Sequence, residues 1–108
     1  MASERILQLK KFLKEDPNDP FLIYALATEY NNIDKNIAKE HFDSLLKNHP
    51  DYVATYYHAA ALYSELGFVD KAKEIYETGL EKALKAGDKH AHKELSNAYQ
   101  NFLFEEDL

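Results

Sequence analysis

Histidine is the side chain in this sequence best suited to hold a metal or to move a proton near neutral pH, and the chain has five. His90 and His92 are two residues apart, so on a helix they point about 200° away from each other. No two histidines have the i, i+4 spacing that places both imidazoles on one helical face, and Glu-x-x-His does not occur. We expect His41 and His49, which lie among charged neighbours, to be solvated. The histidine spacing therefore predicts no metal site.

The motifs of nucleophilic and carboxylate catalysis are also missing. Cysteine is absent, which excludes a thiol nucleophile, a cysteine-ligated zinc and a disulfide framework. The sequence contains neither a Gly-rich phosphate-binding loop nor a Ser-centred nucleophile motif. We expect the acidic run Glu105, Glu106 and Asp107 to be solvated, with nothing to enclose a substrate. We predict no catalytic residue, no cofactor and no enzymatic activity; a metal-binding or enzymatic helical protein is a remote alternative.

Composition narrows the class of protein and of partner. Hydrophobic residues make up 45% of the 108 residues, enough for a packed core. Thirteen Lys and Arg against nineteen Asp and Glu give a net charge of −6, which argues against nucleic acid as a partner. No apolar run approaches the roughly 20 residues that span a bilayer, and residues 1–5 lack the order of a secretion signal. We therefore expect a soluble, cytoplasmic protein that binds neither nucleic acid nor membrane.

The elements that must position any binding residues are all predicted to be helices. Gly67 and Gly87 lie between periodic segments, and the three prolines lie at segment edges. Asp19 can cap a helix that has Pro20 at its first position. The apolar spacing predicts six helices, over residues 3–14, 20–31, 35–48, 52–66, 68–84 and 88–104. Because the turns are short, neighbouring helices should run antiparallel as hairpins.

The helices repeat along the chain with a period of about 34 residues. Four positions recur with one constant offset: Leu9, Phe12, Leu13 and Pro17 return as Phe42, Leu45, Leu46 and Pro50. Four more recur with the same offset: Ile23, Leu26, Ala27 and Tyr30 return as Tyr56, Ala59, Ala60 and Tyr63. A third set recurs with an offset longer by a single position: Ala38, Phe42, Leu45 and Leu46 return as Ala72, Tyr76, Gly79 and Leu80. A two-helix unit of this length indicates a solenoid whose units bury their apolar faces against each other.

These repeats resemble the tetratricopeptide repeat family, whose pattern is a large apolar residue, Leu beside a small residue, Tyr, Ala, an aromatic residue and a closing Pro. The first unit offers Ile23, Leu26, Ala27, Tyr30, Ala38, Phe42 and Pro50. The second unit offers Tyr56, Ala59, Ala60, Tyr63, Ala72, Tyr76 and Gly79. Small residues are expected where two helices approach closely: Ala27, Ala38, Ala60 and Ala72. Leu84 replaces the second closing Pro, so the fifth helix should run on toward Ala86.

The resemblance implies one domain over residues 1–108, an all-α, right-handed superhelix of antiparallel helix hairpins. Its predicted parts are a half-repeat helix, two complete repeats and a C-terminal capping helix: 1–18, 19–51, 52–86 and 87–108. Two repeats alone would be marginal, so half-units at both ends make physical sense.

The resemblance also implies that a peptide binds along the first helix of each unit. The candidate groove residues lie on one side of these helices: Phe21, Tyr24, Thr28, Asn31, Tyr57, His58, Ala61, Ser64, His90, Lys93 and Asn97. Tyr24 and Tyr57 are the favoured anchors, with their packing against each other as core the alternative. Some members of the family bind the acidic C-terminus of a chaperone through Lys, Arg and Asn in this groove. The candidate groove residues between Phe21 and Ser64 include no Lys or Arg, so binding of such an acidic tail is not expected.

Two functions from different classes follow. The first is a non-catalytic adaptor that binds a protein or peptide in the groove. The alternative is a structural module that acts through weak homo-oligomer formation, because the two ends of the chain differ in charge. The basic residues of the first helix are Arg5, Lys10, Lys11 and Lys14, whereas residues 94–108 contain four acidic residues and no Lys or Arg.

Overall fold

The computed structural model of the chain describes residues 2–108, with side chains from residue 4 onward, and over this range it is all-α. The six helices are α1 (Ala2–Glu15), α2 (Pro20–Tyr30), α3 (Lys35–Asn48), α4 (Ala54–Glu65), α5 (Val69–Ala86) and α6 (Lys89–Glu105). The predicted fold class is confirmed, and each predicted helix end lies within two residues of the observed one. None of these helices is long and apolar enough to cross a bilayer.

Local side chains explain where the helices begin and end. Oδ1 of Asp19 accepts a hydrogen bond from the Phe21 N–H at 2.9 Å, and Pro20 occupies the first helical position, as predicted. Asp88 caps α6 in a similar way by accepting from the Ala91 N–H at 3.0 Å. Gly87 ends α5 with a left-handed φ of 70°, a conformation that glycine adopts without steric cost. As predicted, α5 extends to Ala86, because Leu84 keeps the backbone N–H that Pro lacks.

The chain forms two compact units that divide after Tyr52, close to the predicted start of the second repeat. In the first unit α2 packs against both α1 and α3. The contact of α1 with α2 is an apolar cluster whose buried members are Ile6, Leu9, Ala25 and Leu26, with Leu13, Leu22 and Tyr30 at its edge. The predicted small residues Ala27 and Ala38 are fully buried.

In the second unit α5 packs against both α4 and α6, and α4 also contacts α6. Gly79 in α5 faces Tyr56 in α4, and Ala60 and Ala72 are fully buried, as their small size predicts. An aromatic cluster joins α5 to α6, since the ring of Tyr76 lies 5.5 Å from that of Tyr99 and 5.3 Å from that of Phe102. These contacts hold α4 and α6 beside each other, with α5 behind them.

Candidate functional site

The predicted groove residues of α2 differ in exposure. Phe21 is exposed, whereas Tyr24 is half-buried with its ring 5.8 Å from that of Tyr52. The half-buried hydroxyl of Thr28 donates to the Ala25 carbonyl at 2.9 Å, and is thus already satisfied within the helix. Asn31 ends α2, and its buried side-chain oxygen has no hydrogen-bond partner among the described residues. Within this unit, Phe21 and part of Tyr24 are the aromatic surface that α2 offers.

On α4 the predicted stripe is open and forms one wall of a cleft. Tyr57 is 41% exposed, and its ring meets the imidazole of His58 edge-on at 5.3 Å. Tyr57, Ala61 and Ser64 lie along one face of α4 and line a cleft of about 290 Å³ together with Glu65. The structure therefore brings three of the four predicted α4 residues to one cavity.

The other wall of the cleft comes from α6, and its floor from α5. The α6 residues that line it are Ala98, Asn101, Phe102 and Glu105. Tyr76 of α5 lies at the base, where its ring packs against Phe102. We refer to the cavity between α4 and α6 as the α4–α6 cleft.

The three predicted α6 residues do not line this cleft. His90, Lys93 and Asn97 are exposed, and α6 lines the cleft instead with Ala98, which follows Asn97 directly, and with Asn101 and Glu105 further along the helix. On the face of α6 that packs inward, the structure buries Leu95 and Phe102 and leaves Tyr99 half-buried. The i, i+7 spacing of Leu95 and Phe102 is the sequence signal for this orientation of α6.

The comparisons with known proteins agree with this architecture. A tetratricopeptide repeat domain protein from Salinibacter ruber, solved by NMR, is 38% identical over 84% of this chain and 93% of its own, with a TM-score of 0.79. This chain belongs to the tetratricopeptide repeat family. A protein from Bordetella parapertussis shares the fold, with 22% identity, a TM-score of 0.78 and coverage of 94% of this chain and 89% of its own. MamA also shares the fold, with 24% identity, a TM-score of 0.66 and coverage of 98% of this chain and 69% of its own. No protein-family model and no curated protein matches the chain.

The α4–α6 cleft of this tetratricopeptide repeat domain is lined by hydroxyls, an amide and carboxylates. Glu65 and Glu105 line it, and none of its described lining residues is positively charged. Burial raises the pKa of the Tyr76 hydroxyl, and the neighbouring Tyr57 and Glu105 raise it further. The hydroxyl of Tyr76 is therefore neutral at physiological pH. The cleft therefore offers aromatic surface and negative charge together.

Two of the histidines, His41 and His49, are less exposed to solvent than the sequence predicted. His41 is half-buried and stacks on Tyr30, with ring centres 5.6 Å apart, so the expectation that it is solvated was wrong. His49 is half-buried at the end of α3, which contradicts the same expectation. No group of three potential metal ligands comes together among residues 4–108.

Burial determines the protonation of two of these histidines. Burial lowers the pKa of His58 below 6.5, with Glu94 opposing the shift. Burial also lowers the pKa of His41, where Glu40 opposes the shift and Lys10 adds to it. Both imidazoles are therefore neutral at pH 7, and His58 adds no positive charge beside the cleft.

These shifts predict a fold that loses stability in mild acid. The pKa of each buried ring in the folded state lies below the unfolded value of about 6.5. The contribution of the neutral ring to folding stability is therefore fully present above about pH 6.5, and it is lost as the pH falls from there through the folded pKa. NMR titration of the ring protons should give midpoints below 6.5 for His41 and His58, and the free energy of unfolding should decrease below about pH 6.5. A midpoint at or above 6.5 for either ring would contradict its burial.

Proposed function

We propose that this tetratricopeptide repeat domain is an adaptor that binds a peptide or protein segment along the first helices of its repeats and catalyses no reaction. Its proposed organisation is a single domain made of a half-repeat, two repeats and a capping helix. The observation that supports the proposal most directly is the α4–α6 cleft, in which the exposed ring of Tyr57 stands beside polar groups. Tyrosine is a favoured interface anchor, because it supplies a large contact area while few torsions are fixed.

The proposed contact surface has two parts, which the structure presents differently. On α4, the accessible residues are Tyr57, Ala61 and Ser64. On α2, Phe21 is the exposed aromatic residue, while Tyr24 also supports Tyr52. A substitution of Tyr24 would therefore change both packing and binding, so Tyr57 is the better position for a test of binding alone.

Tyr57→Ala is expected to weaken capture of the partner by about tenfold or more, because an aromatic anchor would be lost from the interface. The native chain is immobilised, partners from the host lysate are identified by mass spectrometry, and the purified partner is titrated calorimetrically against each variant. Phe104→Ala is the matched control, since Phe104 is 88% exposed and does not line the cleft.

The expected result is weaker binding by Tyr57→Ala, native binding by Phe104→Ala and unchanged helical content in both. Equal binding by Tyr57→Ala and the native chain would refute the groove assignment. If the chain captures only further copies of itself, and sedimentation gives an oligomer, the alternative of a self-associating structural module is favoured instead.

A further inference from the structure

We infer that the α4–α6 cleft receives the guanidinium of an arginine in the bound segment, so that the partner of this domain is a basic peptide. This inference rests on the proposed function and specifies its ligand. It begins with the size of the cavity, about 290 Å³. This volume lies at the lower end of the roughly 300 to 1,000 Å³ of small-molecule pockets, and it is large enough for one long side chain.

The charges of the side chains that line the cleft favour a cationic ligand. Glu65 comes from α4 and Glu105 from α6, and Tyr57 and Tyr76 add hydroxyl-bearing rings to the lining. A carboxylate ligand would meet negative charge there, and the described lining residues include no Lys or Arg. A cationic ligand would be attracted to both carboxylates.

Arginine fits these groups better than lysine does. The planar guanidinium can stack on an aromatic ring while its N–H groups donate to carboxylates in a fixed fork geometry. Tyr57 offers such a ring, because it is 41% exposed and lines the cleft. Asn101 adds an amide that can accept a hydrogen bond from the peptide backbone or donate one to it.

The charge around the cleft favours the same partner over a longer range. Residues 94–108, which include the α6 wall, contain Glu94, Glu105, Glu106 and Asp107 and no Lys or Arg. A basic segment would therefore be attracted before it makes contact, and an acidic one repelled.

The test uses the native, isotope-labelled chain and three blocked heptapeptides that differ at one position. The probe is acetyl-Ser-Ala-Leu-Arg-Leu-Ala-Ser-amide; the other two carry citrulline, a neutral isostere, or glutamate in place of arginine. We expect the arginine peptide to shift the amide resonances of Ala61, Ser64, Ala98 and Asn101. We expect the citrulline peptide to bind about tenfold more weakly and the glutamate peptide more weakly still.

Two matched pairs of substitutions separate a local site from a general charge effect. The combination of Glu65→Gln with Glu105→Gln should weaken binding of the arginine peptide about tenfold. Glu15→Gln with Glu81→Gln removes the same charge from exposed residues outside the cleft and outside residues 94–108, and it should leave the affinity within about twofold. If the first pair alters the fold, the peptide series with the native chain decides by itself.

Equal binding of the arginine and citrulline peptides, resonance shifts elsewhere than the cleft, or equal weakening by both pairs would overturn the inference. Failure of the inference differs from failure of the proposed function. A neutral partner whose binding depends on Tyr57 would exclude the arginine site and leave the peptide groove. A partner whose binding is unaffected by Tyr57→Ala would exclude the groove itself.

Discussion

Leu9→Ala should lower the free energy of unfolding by about 3 kcal/mol, within the range of about 2–5 kcal/mol for the truncation of a buried leucine. Leu9 is 1% exposed and belongs to the cluster with Ile6, Ala25 and Leu26 that holds α1 against α2. Among the described helices, α1 packs against α2 alone. The truncation therefore leaves a cavity in the contact that anchors α1.

The same helix provides a control of the same residue type. Leu7 lies two residues from Leu9 but is 67% exposed, so Leu7→Ala should cost less than about 0.5 kcal/mol. Urea unfolding of both variants, followed by circular dichroism, measures the difference. Equal destabilisation would show that the Leu9 cluster does not hold α1 in place.

Gly79→Ala should destabilise the domain by about 2 kcal/mol, although alanine is favoured over glycine in a helix by about 1 kcal/mol. A Cβ at position 79 would lie 2.5 Å from Cβ and 2.9 Å from Cγ of Tyr56, and 3.3 Å from a methyl group of Leu95. Because Tyr56 is buried and its Cβ is fixed by the backbone, α4 and α5 would have to separate.

The repeat pattern accounts for this tight contact. Tyr56 and Gly79 correspond to Ile23 and Leu45 in the first repeat, so the second repeat has the larger residue at one position and the smaller at the other. Separation of α4 from α5 would also move Tyr57 and Tyr76, which line the α4–α6 cleft. We therefore expect Gly79→Ala to weaken both the fold and partner binding.

Glu81→Ala is the control for this prediction, since it changes an exposed residue in the same helix and should alter stability by less than about 0.5 kcal/mol. Thermal and urea unfolding of both variants give the comparison. Stabilisation by Gly79→Ala would mean that helix propensity outweighs steric crowding, and that the two helices can separate at low cost.

Much of the fold was predictable because its determinants are local. The cap of Asp19, Pro20 at the first turn of α2 and the left-handed Gly87 act within a few residues, so they set helix ends without tertiary contacts. The recurrence of small and aromatic residues at a nearly constant period identified the repeats, and the buried alanines Ala60 and Ala72 follow from it.

The binding surface was only partly predictable, because it depends on how each helix is rotated about its axis. One residue corresponds to about 100° of that rotation, so a rotation of α6 by this amount is enough to remove Lys93 and Asn97 from the candidate contacts and to bring in Ala98 and Asn101. The packing of α6 against α5 fixes this orientation, with Leu95 beside Gly79 and Phe102 beside Tyr76, and the local sequence of α6 does not.

The amino-acid sequence by itself determined the helices, their order and the repeat, since hydrogen bonds, caps and apolar periodicity are properties of short segments. Tertiary structure alone decided that His41 stacks on Tyr30, and that Glu65 and Glu105 face one cleft with Tyr76 at its base. His41 is 11 positions from Tyr30, and Glu105 is 40 positions from Glu65 and 29 from Tyr76. Only the packing of separate helices brings these residues together.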